Sequence, residues 1–211
     1  MKHPATFAPG GLYAITNGPR PDLLDVVAQA LAGGARLLQY LDEESGEARR
    51  HAEAAAIAPL CRQHGVPLII HEDVALAQAV GADGVHLAHS VAAIRAARES
   101  LGPAAIIGVA CRDSLADARA AAQAGASYVS FGTMYPSSTK PLAPIAPVDL
   151  LRQGAALGVV RVAIGGITPD NAALLIEAGA DYVASISSLF EAADVCQTAQ
   201  RFAQLFPPRK P

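Results

Sequence analysis

Short apolar runs alternate with longer Ala-rich stretches along the whole chain. Four segments show the same joint, in which an Ala-rich stretch reaches a glycine and a β-rich apolar run begins about three residues later. These segments are AGGARLLQY from Ala32, VGADGVHLA from Val80, AGASYVSFG from Ala124 and AGADYVASI from Ala178. Because glycine adopts the left-handed conformation that ends many helices, each segment predicts a helix followed by a strand.

The same pattern, read through the gaps, predicts eight strands and eight helices. The strands lie near 12–16, 37–40, 68–70, 84–87, 106–110, 128–131, 162–164 and 182–186. The helices lie near 23–32, 47–64, 74–80, 91–100, 115–124, 148–157, 170–178 and 194–205. Apolar strands that alternate with helices indicate a parallel sheet, and eight such units predict an α/β fold, a single (β/α)8 TIM barrel. The alternative is an open doubly wound sheet, but AITNGPRPD after the first strand lacks the glycine pattern typical of that fold.

Length and composition add a domain prediction and exclude several kinds of partner. The 211 residues, 52% hydrophobic and 17% charged, suit one barrel domain over 1–211 with a frayed tail at 206–211. A net charge of −3 without a basic run predicts no binding to nucleic acid or to a membrane surface. No apolar stretch of signal-peptide or transmembrane length occurs, so we expect a cytoplasmic protein.

Barrel enzymes build their sites from the loops that follow the strands. After the seventh and eighth strands, Gly165-Gly166 allows close approach of backbone to a ligand, and Ser187-Ser188 precedes a turn whose N–H groups can face an anion. This pair of loops predicts a phosphate site. Alternatively, the glycines only turn the chain and the serines cap a short helix.

The loop YPSSTKP after the sixth strand places hydroxyl groups beside a lysine. Ser137, Ser138 and Thr139 precede Lys140, and these side chains are charge-assisted and neutral donors suited to a second anionic group. A mobile polar loop without a binding role is the alternative.

A group of polar residues after the third and fourth strands suggests a metal site. It comprises His71, Glu72, Asp73, His86 and His89. Imidazole and carboxylate ligands suit zinc or a similar ion. A hydrogen-bonded histidine at a strand end explains His86 equally well, because it alternates with apolar neighbours.

Three motifs resemble the thiamin phosphate synthase and thiazole tautomerase superfamily over nearly the whole length. They are ADGVHLA at 82–88, YVSFGTMYPSSTKP at 128–141 and the run from VAIGGITPDN to ISSLF at 162–190. The resemblance implies that a thiazole phosphate nitrogen displaces pyrophosphate from a pyrimidine-methyl pyrophosphate, with magnesium and cationic side chains holding the leaving group.

The resemblance also implies roles for individual residues. Gly166, Ile186 and Ser187 would hold the thiazole phosphate. The family's Thr-x-Thr-Lys loop falls on Ser137, Thr139 and Lys140, which makes Lys140 the best catalytic candidate. Gln39 matches the glutamine of a Gln-x-Arg-x-Lys motif. The family also leads us to expect a homo-oligomer that binds a small phosphorylated substrate.

The segment QYLDE departs from that motif, because the family's arginine and lysine fall on Leu41 and Glu43. The family's Asn-Asp pair becomes His71-Glu72, so the magnesium site is incomplete and Glu72 is its remaining candidate ligand. Three other family positions also differ. The family's aspartate after the fourth strand falls near Val91, its serine after the fifth strand is Ala110, and the histidine of the tautomerase branch aligns with Arg112. Loss of two cations predicts poor pyrophosphate binding and coupling that is weak or absent.

Three functional hypotheses follow. The first is a protein of the synthase type with weakened or lost coupling. The second is a non-synthase relative that binds a thiazole phosphate or similar small phosphate for tautomerisation, salvage or regulation. The third is a metal-dependent hydrolase or lyase that uses His71, Glu72 and His89.

Overall fold

Eight parallel strands close into one barrel in which every strand pairs with its neighbours in sequence and β8 pairs with β1. The computed structural model describes residues 7, 10–137 and 142–206. The strands are β1 (Gly11–Ile15), β2 (Ala35–Tyr40), β3 (Leu68–His71), β4 (Gly84–Ala88), β5 (Ile106–Arg112), β6 (Tyr128–Phe131), β7 (Val160–Ile164) and β8 (Tyr182–Ser185). This architecture confirms the predicted (β/α)8 barrel.

Helices follow the strands and surround the barrel. They are α1 (Leu23–Ala32), α2 (Glu47–His64), α3 (Val74–Val80), α4 (Val91–Leu101), α5 (Leu115–Ala124), α6 (Asp149–Gln153), α7 (Ala172–Glu177), α8 (Ser187–Phe190) and α9 (Val195–Ala203). The predicted helix at 148–157 is instead the short α6 followed by a 3₁₀ turn, Gly154–Leu157. The short helix α8 directly follows β8, where the sequence indicated either an anion-binding turn or a capped helix.

Several helices begin at a polar residue whose side chain accepts a hydrogen bond from an amide in the first turn. These capping residues are Asp73, Ser90, Ser114 and Asp194. Such caps satisfy amides that have no acceptor within the helix. Each cap therefore fixes the point at which the chain leaves a loop and enters a helix.

The apolar residues form two layers, one on each face of the barrel wall. The outer layer lies between strands and helices and includes Val85, Leu87 and Phe131. The inner layer fills the barrel and includes Tyr13, Leu37, Ile69, Tyr128 and Tyr182. Successive residues of a strand point to opposite faces, so each strand contributes to both layers.

Aromatic packing fills the amino-terminal end of the barrel. The ring of Phe7 stacks on Tyr182, the first residue of β8, with 5.9 Å between ring centroids. Gln39 and His71, in contrast, lie at or next to the carboxyl ends of β2 and β3, where barrel enzymes place their sites. Among the residues described, no helix combines the length and the apolar character needed to cross a membrane.

Candidate functional site

Gln39 lies inside the barrel and is the centre of a buried hydrogen-bond network. Its side chain is 2% exposed. Tyr13 Oη donates to Gln39 Oε1 at 2.6 Å, and Gln39 Nε2 lies 3.1 Å from His71 Nδ1. The Gln39 side chain on β2 thus joins Tyr13 on β1 to His71 at the end of β3.

The network continues across the barrel from Tyr13. Its hydroxyl lies 2.7 Å from Tyr128 Oη, and Tyr128 Oη lies 2.9 Å from His86 Nδ1. Gly108 lies between them on β5, where an added Cβ would stand 1.9 Å from Tyr128 Cζ. Glycine at this position therefore gives the Tyr128 ring the space to reach His86.

The environment keeps these groups uncharged near neutral pH. Burial, with a smaller contribution from His71, lowers the pKa of His86 to about 3. Burial likewise raises the pKa of Tyr13 and Tyr128 well above the usual value for tyrosine. The buried part of the network is therefore neutral, and His86 is the hydrogen-bonded histidine that the strand pattern offered as an alternative to a metal ligand.

Two residues at positions where the family motifs have other residues contact each other at the barrel mouth. His71 Nε2 lies 3.3 Å from Glu43 Oε1, and the Glu43 side chain is 72% exposed. The adjacent Asp42 is buried and accepts the amides of Glu44 and Ser45 through Oδ1. The segment after β2 thus has a fixed turn and presents carboxylate rather than cationic groups.

The loop after β7 lies beside the start of α8, as the predicted phosphate site requires. Gly165 and Gly166 have φ values of +102° and +62°, a region in which glycine has little steric penalty. Asn171 fixes this loop, because its Nδ2 donates to the Gly166 carbonyl at 3.0 Å and its Oδ1 accepts the Thr168 amide at 2.9 Å. The backbone at Gly166 is therefore held by a side chain outside the binding corner.

The end of β8 forms the other side of this corner. Ile186 is partly buried against the inner layer of the barrel, and α8 begins at the next residue, Ser187. Ser188 has a structural role, since its hydroxyl donates to the Ile167 carbonyl at 2.5 Å. The structure brings Gly165, Gly166, Ile186 and Ser187 to neighbouring strand ends.

The loop after β6 packs directly against the β7 loop. The amides of Met134 and Tyr135 donate to the carbonyls of Ile164 and Gly165 at 2.9 and 3.0 Å. An added Cβ at Gly166 would stand 2.4 Å from the Pro136 carbonyl oxygen. Ser137 directly follows this contact, whereas Thr139 and Lys140 lie outside the described residues.

Known proteins resemble this chain in sequence and in structure. Residues 12–189 match the sequence profile of the family described as thiamine monophosphate synthase. The chain belongs to this family. It is 52% identical over 202 residues to the thiamine-phosphate synthase of Thiobacillus denitrificans, covering 94% of this chain and 95% of that protein. It is 50% identical to the Chromobacterium violaceum protein of the same name, covering 93% and 96% of the two chains.

A solved structure extends the similarity to three dimensions. The thiamine phosphate pyrophosphorylase from Pyrococcus furiosus superposes with a TM-score of 0.82 at 30% identity, covering 92% of this chain and 94% of the other. The resemblance inferred from the sequence motifs is therefore confirmed.

The residues predicted to bind a metal each contact other side chains. His86 is bonded to Tyr128, His89 Nδ1 lies 3.8 Å from Asp117, and Asp73 both caps α3 and pairs with Arg50 at 3.3 Å. In the described ranges, no group of three His, Cys, Asp or Glu side chains is placed to hold a metal ion. This arrangement gives no support to the hydrolase or lyase hypothesis.

Glu72 has a different position. It is exposed at the end of β3 with a φ of +52°, and its Oε1 accepts the Ala88 amide at 3.2 Å. One carboxylate together with substrate phosphate oxygens suits magnesium, which keeps much of its coordination for water and phosphate. Glu72 stays a predicted magnesium ligand, whereas Asp73 is occupied by its helix cap and by Arg50.

Sequence reasoning missed Tyr13, Tyr128 and Gly108 as parts of the site. The alternation of inward and outward residues within each strand could have placed both tyrosines in the barrel interior. Nothing in that alternation shows which interior residues meet, because Tyr13 and Tyr128 are 115 positions apart.

Proposed function

We propose that the protein couples a thiazole phosphate to a pyrimidine-methyl pyrophosphate and releases pyrophosphate, as the family name implies. The observation that carries this proposal is identity of about 50% with thiamine-phosphate synthases over nearly the full length. The arrangement of Gly166, Ile186 and Ser187 at adjacent strand ends supports it, because these are the residues to which the family resemblance gives the thiazole phosphate.

In the proposed reaction, the thiazole nitrogen forms a bond to the methylene carbon of the pyrimidine substrate. The carbon–oxygen bond to pyrophosphate breaks, and the leaving group departs with the electron pair. The chain contributes by holding both substrates in line, an effect that accounts for much of the rate gain in such displacements. The β7–β8 corner would hold the thiazole phosphate, and Gln39 would contact the pyrimidine substrate.

The leaving pyrophosphate requires positive charge, which lowers the energy of the developing anion. We assign this role to Lys140, with Ser137 and Thr139 as neutral donors and with magnesium held by Glu72 and the pyrophosphate oxygens. Magnesium would supply charge neutralisation at the leaving group. Because Leu41 and Glu43 replace two family cations, we expect slower coupling than in relatives that retain them.

The test is a coupling assay on the full chain with both substrates and magnesium, in which thiamin phosphate is quantified. We expect product from the wild type and little or none from Lys140→Ala. Product formation that is independent of Lys140 would remove that residue from the proposal. Absence of product at saturating concentrations of both substrates would contradict coupling as the function.

The Glu43–His71 contact favours a second candidate, namely a family member that binds the phosphorylated thiazole without coupling. A carboxylate at the mouth disfavours pyrophosphate while leaving the β7–β8 corner intact. Calorimetric binding of thiazole phosphate, in the absence of any coupling activity, would support this candidate.

The proposed partners are small phosphorylated molecules and further copies of the chain, in a cytoplasmic location. Neither nucleic acid nor membrane is proposed as a partner, because the net charge is −3 and the sequence has no basic run. Sedimentation velocity of the purified chain tests self-association, since a sedimentation coefficient of a monomer at micromolar concentration would contradict it.

A further inference from the structure

A continuous hydrogen-bond chain crosses the barrel from its exposed rim to its buried wall. Its members, in order, are His71, Gln39, Tyr13, Tyr128 and His86, and the Glu43 carboxylate lies 3.3 Å from His71 at the exposed end. Each link between His71 and His86 joins groups that can both donate and accept. The hydrogen bonds can therefore all point in one direction or all point in the other. The group at the exposed end selects between these two directions.

Glu43 makes this selection through His71. A carboxylate accepts hydrogen bonds and does not donate them. Its negative charge therefore favours a proton on His71 Nε2, which lies 3.3 Å from Glu43 Oε1. His71 Nδ1 faces the amide nitrogen of Gln39 at 3.1 Å, and because an amide nitrogen only donates, Nδ1 is the acceptor.

The direction of the remaining hydrogen bonds follows from the number of protons that each group carries. With its amide nitrogen toward His71, Gln39 has its oxygen toward Tyr13, which donates to it at 2.6 Å. The Tyr13 hydroxyl has one proton and donates it to Gln39, so Tyr128 must donate to Tyr13 across 2.7 Å. The proton of Tyr128 is then used as well, and His86 Nδ1 must donate to Tyr128 across 2.9 Å.

At His86, the last residue of the network, the ring nitrogen Nε2 is then an acceptor. Because burial keeps His86 neutral, a proton on Nδ1 leaves a lone pair on Nε2. In the part of the chain that the structure describes, no hydrogen-bond partner of Nε2 is found, and 8% of the residue is accessible. The next inward positions toward the mouth on β4 and β5 are Ala88 and Ala110, which are register partners and have small side chains.

We propose that Glu43 fixes the direction of this chain and thereby makes His86 Nε2 a hydrogen-bond acceptor for an N–H or O–H donor on the ring of the substrate. The identity of that substrate rests on the proposed function, whereas the direction of the chain does not. A lysine at position 43, as the family motif has, would donate rather than accept and would favour the opposite direction. Glu43 is therefore a positioning residue that changes which ligands the interior can recognise.

Histidine tautomers report the direction without any turnover. In ¹⁵N spectra of the full chain near pH 7.5, protonated and unprotonated ring nitrogens resonate in separate regions, and His71→Asn and His86→Asn identify the two signals among six histidines. We expect the proton on Nε2 of His71 and on Nδ1 of His86. A proton on Nε2 of His86 would overturn the proposal.

Glu43→Lys tests whether position 43 is the cause. We expect both tautomers to reverse in this variant, while the matched Glu44→Lys variant, with the same charge change at an exposed neighbour, keeps the wild-type pattern. Unchanged tautomers in Glu43→Lys would overturn the assignment to Glu43. Glu43 is mostly exposed, so both variants should fold.

Binding of the pyrimidine-methyl pyrophosphate tests the acceptor role. At saturation we expect the Nε2 signal of His86 to move toward the hydrogen-bonded range, and a bound substrate that leaves it unmoved would overturn that role. Failure of this substrate to bind at all would contradict the proposed function and the acceptor role together. The tautomers of the ligand-free protein would still decide the direction of the chain.

Discussion

Replacing Glu43 by lysine should strengthen the binding of pyrophosphate. The substitution changes the charge at the rim by two units, at a position where the family motif has a cation. A unit charge about 4 Å from an anion contributes ~4 kcal/mol at a partly shielded site and ~1 kcal/mol in bulk water. Because the Glu43 side chain is 72% exposed, the lower figure applies, and the two-unit change amounts to roughly 2 kcal/mol.

This free energy corresponds to roughly 30-fold tighter binding, since ~1.4 kcal/mol is a factor of ten. Isothermal titration calorimetry with inorganic pyrophosphate and magnesium measures the change directly, without depending on catalysis. The gain should shrink as salt is raised, because the Debye length falls from about 10 Å at 0.1 M to about 3 Å at 1 M. Affinity for thiazole phosphate should stay unchanged.

Glu44→Lys is the matched control, because it makes the same change in net charge at an adjacent exposed position. We expect it to improve pyrophosphate binding by less than about threefold, as exposed charges at longer range are largely screened. Equal gains from the two variants would show that only net charge matters. Weaker binding in Glu43→Lys would refute the inference that position 43 faces the pyrophosphate.

Three further results are expected. Gly166→Ala should lower the affinity for thiazole phosphate at least tenfold, whereas Gly158→Ala, which has a similar φ of +68° but no atom near its added Cβ, should leave that affinity unchanged; calorimetry decides, and equal affinities would contradict the site. Below pH ~6.5 the unfolded chain gains a proton that folded His86, with a pKa of about 3, does not take up, so the free energy of unfolding should fall by about 1.4 kcal/mol per pH unit between pH ~6 and ~4. Urea titrations should show that His86→Asn has a shallower pH dependence by that amount, and identical slopes would contradict a buried neutral His86. Gly108→Ala should destabilise the protein by about 1–3 kcal/mol, because the added methyl group displaces Tyr128, and an unchanged urea midpoint would refute that contact.

The eight strands were predictable because their signals are local. Four of the apolar runs follow a glycine near the end of a predicted helix, and Gly81 and Gly125 do adopt the left-handed conformation at the ends of α3 and α5. Helix α8 could not be located in the same way, because its four residues complete barely one turn and show no periodicity.

The proximity of Gly166 and Ser187 was predictable for a different reason. In a parallel barrel all carboxyl strand ends lie at one edge, so Gly166 and Ser187 had to be neighbours once β7 and β8 were recognised. Lys140 and Thr139 lie outside the described residues, and their roles stay predictions. Their adjacency in sequence to Ser137 gives the order of the loop and not its conformation.

The interior hydrogen-bond network could not be predicted from the sequence, because it depends on which side chains meet across the barrel. Gln39 was singled out, but its partners Tyr13 and His71 come from different strands, 26 and 32 positions away. The contact between Glu43 and His71 was equally hidden, although both had been recognised as departures from the family motifs. Only the structure shows that Glu43 and His71 are in contact.

The central claim is that the phosphate end of the family site is retained at the corner formed by Gly166, Ile186 and Ser187. The most direct measurement compares the affinities of wild-type protein for thiazole phosphate and for the same thiazole alcohol without its phosphate. The account predicts that the phosphate ester binds at least a hundredfold more tightly. Equal affinity for the two compounds would contradict it.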